Sequence, residues 1–191
     1  MNQKTLILWF AVLITLSFSF FNASCKKKDI VKDIKIGDRY QGGIVAHVLQ
    51  LGEPGYDAHI QHGMIAASID QSLGLTWDTG NHIITGAISK FFGAGHANTT
   101  IIVDTQGTGS YAAQLCADLD FGGYTDWVLP STEELNYLYE NKSVVGGFTN
   151  RGYWSSSEES RSYAWDQNFT NGSQFYNDKA TQNCVRAVRA F

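Results

Sequence analysis

Apolar and polar positions change their pattern several times along the chain. Leu6 to Phe21 is a nearly unbroken apolar run. Ile44, Val45, Ala46, Val48, Leu49 and Leu51 then crowd Gly43 to Leu51, and their β-branched content predicts a strand. Met64 to Ile69 predicts a second strand. Gln71 to Gly95 carries Trp77, many glycines and no sustained period, so it reads as loops with short ordered pieces. Thr99 to Asp104 returns to a strand signal through its β-branched run.

Two helices are written more plainly. Ser110 is placed to cap a first one, in which Ala112, Leu115, Cys116 and Leu119 share a face and Gly122-Gly123 supplies the stop. Ser131 and Glu134 form a capping box directly after Pro130, and Leu135, Leu138 and Tyr139 give the second helix its apolar stripe. After Gly146-Gly147, short strands are expected around Gly152 to Ser155, Tyr163 to Phe169, Gln174 to Asn177 and Cys184 to Phe191. The resulting class is α+β: two helices packed on short antiparallel strands, with many loops.

The first apolar run follows Lys4 and ends in Asn22-Ala23-Ser24-Cys25, which is the layout of an export signal over residues 1 to 24. It is shorter than the roughly 20 residues that span a bilayer. Small residues before a cysteine resemble a bacterial lipobox, which implies lipidation of Cys25 and attachment to the membrane through that lipid. Asn22 stands where an aliphatic residue is usual, so cleavage near Cys25 without lipidation is a second reading. Residues 25 to 36, with Lys26-Lys27-Lys28, read as a tether, and residues 37 to 191 as a single domain. Beyond Lys4 the chain holds 13 basic against 18 acidic residues, a balance that argues against nucleic acid as a partner.

Several motifs are better explained by structure than by chemistry. Gly107-Thr108-Gly109-Ser110-Tyr111-Ala112 fits a dinucleotide-binding pattern, but no second βαβ unit follows, and a glycine turn into a helix accounts for it. His47, His59, His62, His82 and His96 have no diagnostic metal spacing, so no metal or cofactor is expected. Ser155-Ser156-Ser157 lacks a nucleophile elbow. Arg186 and Arg189 lie three apart in the expected last strand, which would place them on opposite faces, one meeting an acid of the Glu133-Glu134 turn and the other facing solvent.

Four blocks in the C-terminal part carry a resemblance: Asp126-Trp127-Val128-Leu129-Pro130-Ser131, Tyr153-Trp154-Ser155-Ser156-Ser157-Glu158, Ala164-Trp165, and Val185-Arg186-Ala187-Val188-Arg189-Ala190-Phe191. With Tyr40-Gln41-Gly42-Gly43-Ile44 and Gly63-Met64-Ile65-Ala66-Ala67 upstream, they resemble the Lcl C-terminal domain family of bacterial adhesin-type domains. The resemblance implies a C-type-lectin-like fold, in which Trp127, Trp154 and Trp165 would be core. The calcium motifs of sugar-binding lectins are absent, Glu53-Pro54-Gly55 and Trp165-Asp166-Gln167 being poor substitutes.

Family members commonly have a cysteine at the Cys116 position and its partner where this chain has Ala187. A disulfide between Cys116 and Cys184 is therefore left open. The expected function is a non-enzymatic, lipid-anchored cell-envelope module, with the outer membrane as its expected location, that binds a glycan or an envelope protein. An envelope hydrolase and a structural subunit are the alternatives. Candidate contact residues on polar connections near the strand ends are Arg151, Glu158, Glu159, Arg161, Tyr163, Asn168, Asn171, Gln174 and Tyr176.

Overall fold

A computed structural model describes residues 33–191. The expected export signal, Cys25 and most of the expected tether lie outside the described residues. One four-stranded sheet has the order β1-β2-β3-β9, formed by β1 (Arg39–Tyr40), β2 (Gly43–Val48), β3 (Gly63–Ala66) and β9 (Val188–Ala190). A five-stranded sheet has the order β4-β8-β5-β6-β7, formed by β4 (Ser72–Leu75), β5 (Gly152–Glu158), β6 (Tyr163–Asn168), β7 (Gln174–Asp178) and β8 (Asn183–Val185). The helices are α1 (Ala94–Gln106), α2 (Ala112–Ala117), α3 (Thr132–Glu140) and α4 (Lys142–Val145).

Strand alternation divides the core in two. Val45 and Ile65, paired across β2 and β3, join Trp77, Ile102, Cys116, Trp127 and Trp154 in one cluster. Their neighbours Ala46, Met64 and Ala66 turn to a second cluster with Leu135, Leu138, Tyr153 and Phe169. Adjacent residues Tyr153 and Trp154 on β5 thus serve opposite faces, so this strand is buried on both sides. Ile34, from the C-terminal end of the expected tether, packs against the first cluster.

The structure departs from the expected elements in three places. Thr99 to Asp104 is helical, within α1. Its buried residues Gly95, Asn98, Thr99 and Ile102 follow helical spacing, and this tertiary face overrides the β-branched propensity. Tyr111, not Ser110, is the N-cap of α2, and the glycine pattern before it follows a helix rather than a strand. The last strand is broken: β8 and β9 belong to different sheets, and β8 pairs parallel to β5 at Cys184 and Tyr153. The α3 capping box is formed as expected.

Both terminal arginines sit at or beside this break, and both are buried and paired with acids, Asp70 inside and Asp126 at the surface. Arg186 Nε donates to Asp70 at 2.7 Å, its other nitrogens reach the carbonyls of Ala67, Gly146 and Gly147, and Phe148 lies 4.0 Å from the guanidinium. Arg189 makes a two-pronged pair with Asp126, at 2.6 and 2.9 Å, and stacks on Tyr124. That pairing, ahead of the opposing effect of burial, holds the Asp126 carboxyl below its ordinary pKa. The expected partner in Glu133-Glu134 and the expected solvent-facing arginine are both corrected. The chain changes sheet between the two arginines, so strand alternation does not apply to them.

Both cysteines are free and buried. Cys116 shares the first cluster with Ala187 and Cys184 lies in the second, so the disulfide left open by the sequence is not formed.

A third buried pair fixes the longest irregular segment, the stretch between β4 and α1. Lys179 and Glu158 meet at 2.6 Å with almost no solvent exposure, and Lys179 lies over Trp77. Glu158 also accepts from the backbone N–H groups of Thr85 and Gly86, while Lys179 donates to the Ile83 carbonyl. Ser157 Oγ and Asn98 both donate to the Ser89 carbonyl. Glu158 is therefore removed from the expected contact surface: it replaces the hydrogen bonds that a loop lacking a ladder would otherwise lose.

At the end of the segment, Glu134 binds two helix starts. Its carboxylate accepts from Ser131 N–H in the α3 capping box and from Gly93 N–H at the entry to α1. A Cβ at Gly95 would overlap this carboxylate, which accounts for glycine there. Burial raises the Glu134 pKa despite these donors.

Asp166 is a further buried acid. Asn177 and Asn183 each donate to its Oδ2 at 2.8 Å, and Asn183 reaches it across Gly152 on the intervening strand. Its Oδ1 has no partner, and burial raises its pKa above the ordinary value.

Two outcomes follow from these buried groups. Lys179→Met, or Glu158→Gln, should lower unfolding stability by about 3–5 kcal/mol because each strands a buried partner. The double substitution should cost clearly less than the sum. Additive losses in urea titrations would contradict the pairing. For Asp166 the folded pKa is raised, so its stabilising contribution is complete below the unfolded value of about 3.8 and is lost as pH rises through the folded pKa. Asp166→Asn should remove that part of the decline in thermal stability from acid toward neutral pH, and an unchanged pH slope would contradict this.

Candidate functional site

β6 and β7 form an antiparallel hairpin in which Trp165 faces Tyr176 and Gln167 faces Gln174. Cross-strand partners share a face. Ala164 and Asp166 point into the protein, which leaves Tyr163 and Trp165 on the outer side. Tyr163 and Tyr176 meet edge to face at 5.8 Å, and Tyr176 meets Trp165 in the same way at 5.6 Å. Both tyrosines are exposed, and the Trp165 indole donates to Glu159 at 2.6 Å. Lys90 lies 3.8 Å from the Trp165 ring and 3.6 Å from Glu159.

This aromatic ladder leads into an open groove of about 310 Å³ lined by Lys90, Phe91, Thr132, Glu133, Asn136 and Gln174. Its floor is held by amides: Gln167 donates to Asn136 Oδ1, and Gln174 donates to the Thr132 carbonyl. Its wall is the segment pinned by Glu158. Glu133 N–H donates to the Lys90 carbonyl, Ser131 Oγ to the Phe91 carbonyl, and Phe92 N–H to the Glu133 carboxylate. The backbone at Phe91 is thus held on both sides while its ring is 76 % exposed.

The groove continues past Phe91 and Glu133 into a second hollow of about 200 Å³, which adds Glu53, Pro54, Phe92 and Tyr137. There Glu53 accepts from Tyr137 O–H at 2.8 Å and from Gln50 N–H at 2.6 Å, and both of its oxygens lie within 3.1 Å of His47 Nε2. His47 stacks on Tyr137 at 3.8 Å. Burial works against the Glu53 charge, but the Gln50, Tyr137 and His47 bonds outweigh it and hold the pKa below the ordinary value. Burial, then Glu53, pushes the Tyr137 phenol up to about 12.

Of the sequence-nominated residues, Glu159, Tyr163, Gln174 and Tyr176 come together on this face. Arg161 sits at the β5–β6 turn and donates to the His82 carbonyl. Arg151, Asn168 and Asn171 lie at the end of the hairpin opposite Tyr163; Asn168 follows Gln167 of the groove floor, and the turn that holds Asn171 leads into Gln174. Asn168 and Asn171 accept from Thr170 and Ser173 N–H and shape the β6–β7 turn.

Sequence reasoning missed Lys90, Phe91, Thr132, Glu133 and Asn136, and it read Trp165 as core. The core tryptophans are Trp77, Trp127 and Trp154, whereas Trp165 is half-buried. The small Ala164 beside it was the available signal that β6 turns its large residues outward.

Ser155, Ser156 and Ser157 are fully buried. Ser155 Oγ donates to the Trp165 carbonyl, Ser156 Oγ accepts from Asn98, and Ser157 Oγ donates to Ser89. Burial pushes the Cys116 thiol pKa well up, which disfavours a reactive thiolate. Among the described residues, no group of three or more His, Cys, Asp or Glu side chains is arranged to hold a metal ion.

No curated protein matches the chain significantly. The sequence profile of the Lcl C-terminal domain matches residues 66–189, so the match begins at the end of β3 and takes in the four helices, the groove and the hairpin that carries the ladder, while β1 and β2 precede it. Over well more than half its length, then, this chain belongs to the Lcl C-terminal domain family.

Proposed function

We propose that the chain is a non-enzymatic binding module of the bacterial cell envelope, anchored through lipid at Cys25, whose ligand is a glycan held in the groove beside β6 and β7. The observation that carries this reading is the ladder of Tyr163, Tyr176 and Trp165 standing next to a groove floored by amide side chains. Aromatic faces suit the apolar face of a sugar ring, and convergent amides and hydroxyls suit its hydroxyls. The C-type-lectin-like relationship implied by the sequence motifs fits such a role, and outer-membrane attachment fits the export signal.

Hydrolysis is the weaker reading. The serines and Cys116 that would supply a nucleophile are buried and engaged in packing or in hydrogen bonds to neighbouring backbone and side chains. The acidic balance of the exported chain also disfavours polyanionic glycans.

A glycan array probed with residues 26–191 should give a reproducible hit among neutral or amino-bearing oligosaccharides. Trp165→Ala and Tyr176→Ala should each weaken that hit about tenfold, the scale of one lost aromatic contact. The melting temperature should change little because both side chains are partly exposed. A blank array, or full binding by both variants, would contradict the proposal.

A further inference from the structure

The hollow beyond Phe91 differs in chemistry from the groove that adjoins it. The groove includes Lys90, whereas the six residues lining the hollow are two acids, Glu53 and Glu133, with Pro54, Phe91, Phe92 and Tyr137. Two carboxylates facing aromatic rings, with no cation in the lining, complement an organic cation. Carboxylates supply charge-assisted acceptors, and the ring faces supply the attraction of a positive group for a π system.

The fold accounts for part of this arrangement but not all of it. Glu53 is held by three donors, Gln50 N–H, Tyr137 O–H and His47 Nε2, the last shared between both oxygens, and these fix its carboxylate at the border of the hollow. Glu133 secures Phe92 N–H through one oxygen and is otherwise exposed. The Phe91 ring stabilises nothing in the core: its backbone is held by Ser131 and Ala94 while the ring stands in solvent between the two hollows. Lys90, the nearby cation, is engaged on the far side with Trp165 and Glu159.

We infer that this hollow is an ammonium-binding subsite, and that the ligand of the groove is a glycan bearing free amino groups, with a sugar ring against Trp165 and Tyr176 and a neighbouring ammonium between Glu53 and Glu133. The inference rests on the glycan reading above and narrows it to amino sugars. Binding requires no covalent step. The ammonium donates hydrogen bonds to the two carboxylates and lies against Phe91 and Tyr137.

The test is calorimetric titration of residues 26–191 with a glucosamine oligomer and with its fully N-acetylated counterpart, at a pH where the free amines are protonated. The glucosamine oligomer should bind at least about tenfold more tightly. Glu53→Gln and Glu133→Gln should each abolish most of that preference while leaving affinity for the N-acetylated oligomer unchanged. Asp120→Asn removes an exposed charge elsewhere and should leave the preference intact. A preference lost equally in Asp120→Asn would reduce the effect to overall charge and overturn the subsite.

Equal affinity for the two oligomers, with both weakened by Trp165→Ala, would overturn the subsite and leave the glycan reading standing. A Glu53-dependent preference that is indifferent to Trp165→Ala would do the reverse, supporting the ammonium subsite and removing the sugar platform.

Discussion

A carboxylate at the end of β5 governs the path of the chain between β4 and α1. Glu158 faces Lys179 in the interior and accepts from Thr85 and Gly86, while its own N–H donates to the Ala87 carbonyl. A loop of this length has no strand or helix partner for its backbone groups, and leaving them buried and unpaired would cost about 1–3 kcal/mol each. Here the missing ladder is supplied by side chains: Glu158 and Ser157 from β5, Ser131, Glu133 and Glu134 from the start of α3, and Asn98 from α1. Glu158 and its lysine fix the first half of this segment, and the start of α3 fixes the wall formed by Lys90, Phe91 and Phe92.

The same economy appears elsewhere in the molecule. Arg186 gathers carbonyls from two connections onto Asp70, and Arg189 holds Asp126 against the final strand. Buried arginines of this kind contribute less to net stability than to the choice of one loop arrangement, since each requires its partner in place. A glycine-rich chain with short strands gains fixed geometry in this way. The candidate site lies where fixed backbone carries exposed aromatic rings: Phe91 is anchored at its carbonyl yet exposes its ring, and Tyr163 and Tyr176 pack on each other toward a sheet edge rather than in the core.

Much of the scaffold was legible because its signals are local. Ser131 and Glu134 announced α3, and the β-branched content of Gly43 to Leu51 announced a strand. The β-branched run from Thr99 to Val103 misled because burial of Asn98, Thr99 and Ile102 on one helical face depends on neighbours distant in sequence. Glu158 looked like a surface residue in a serine-rich stretch, since its partner Lys179 lies 21 residues later. Half of the candidate site was visible for a related reason. Tyr163, Gln174 and Tyr176 stand on strands whose faces can be read by period, whereas Lys90, Phe91 and Glu133 reach the groove only through the folded path of a segment without a period of its own.

The account depends most on that segment being rigid without regular structure, and amide hydrogen exchange measures this directly. Thr85, Gly86, Phe92 and Gly93, whose N–H groups donate to Glu158, Glu133 and Glu134, should exchange slowly, with protection closer to that of the β5 strand than to that of open loops. In Glu158→Gln the Thr85 and Gly86 amides should lose most of that protection. Exchange at all four amides in the wild-type protein as fast as in an unstructured peptide would contradict a preformed groove wall.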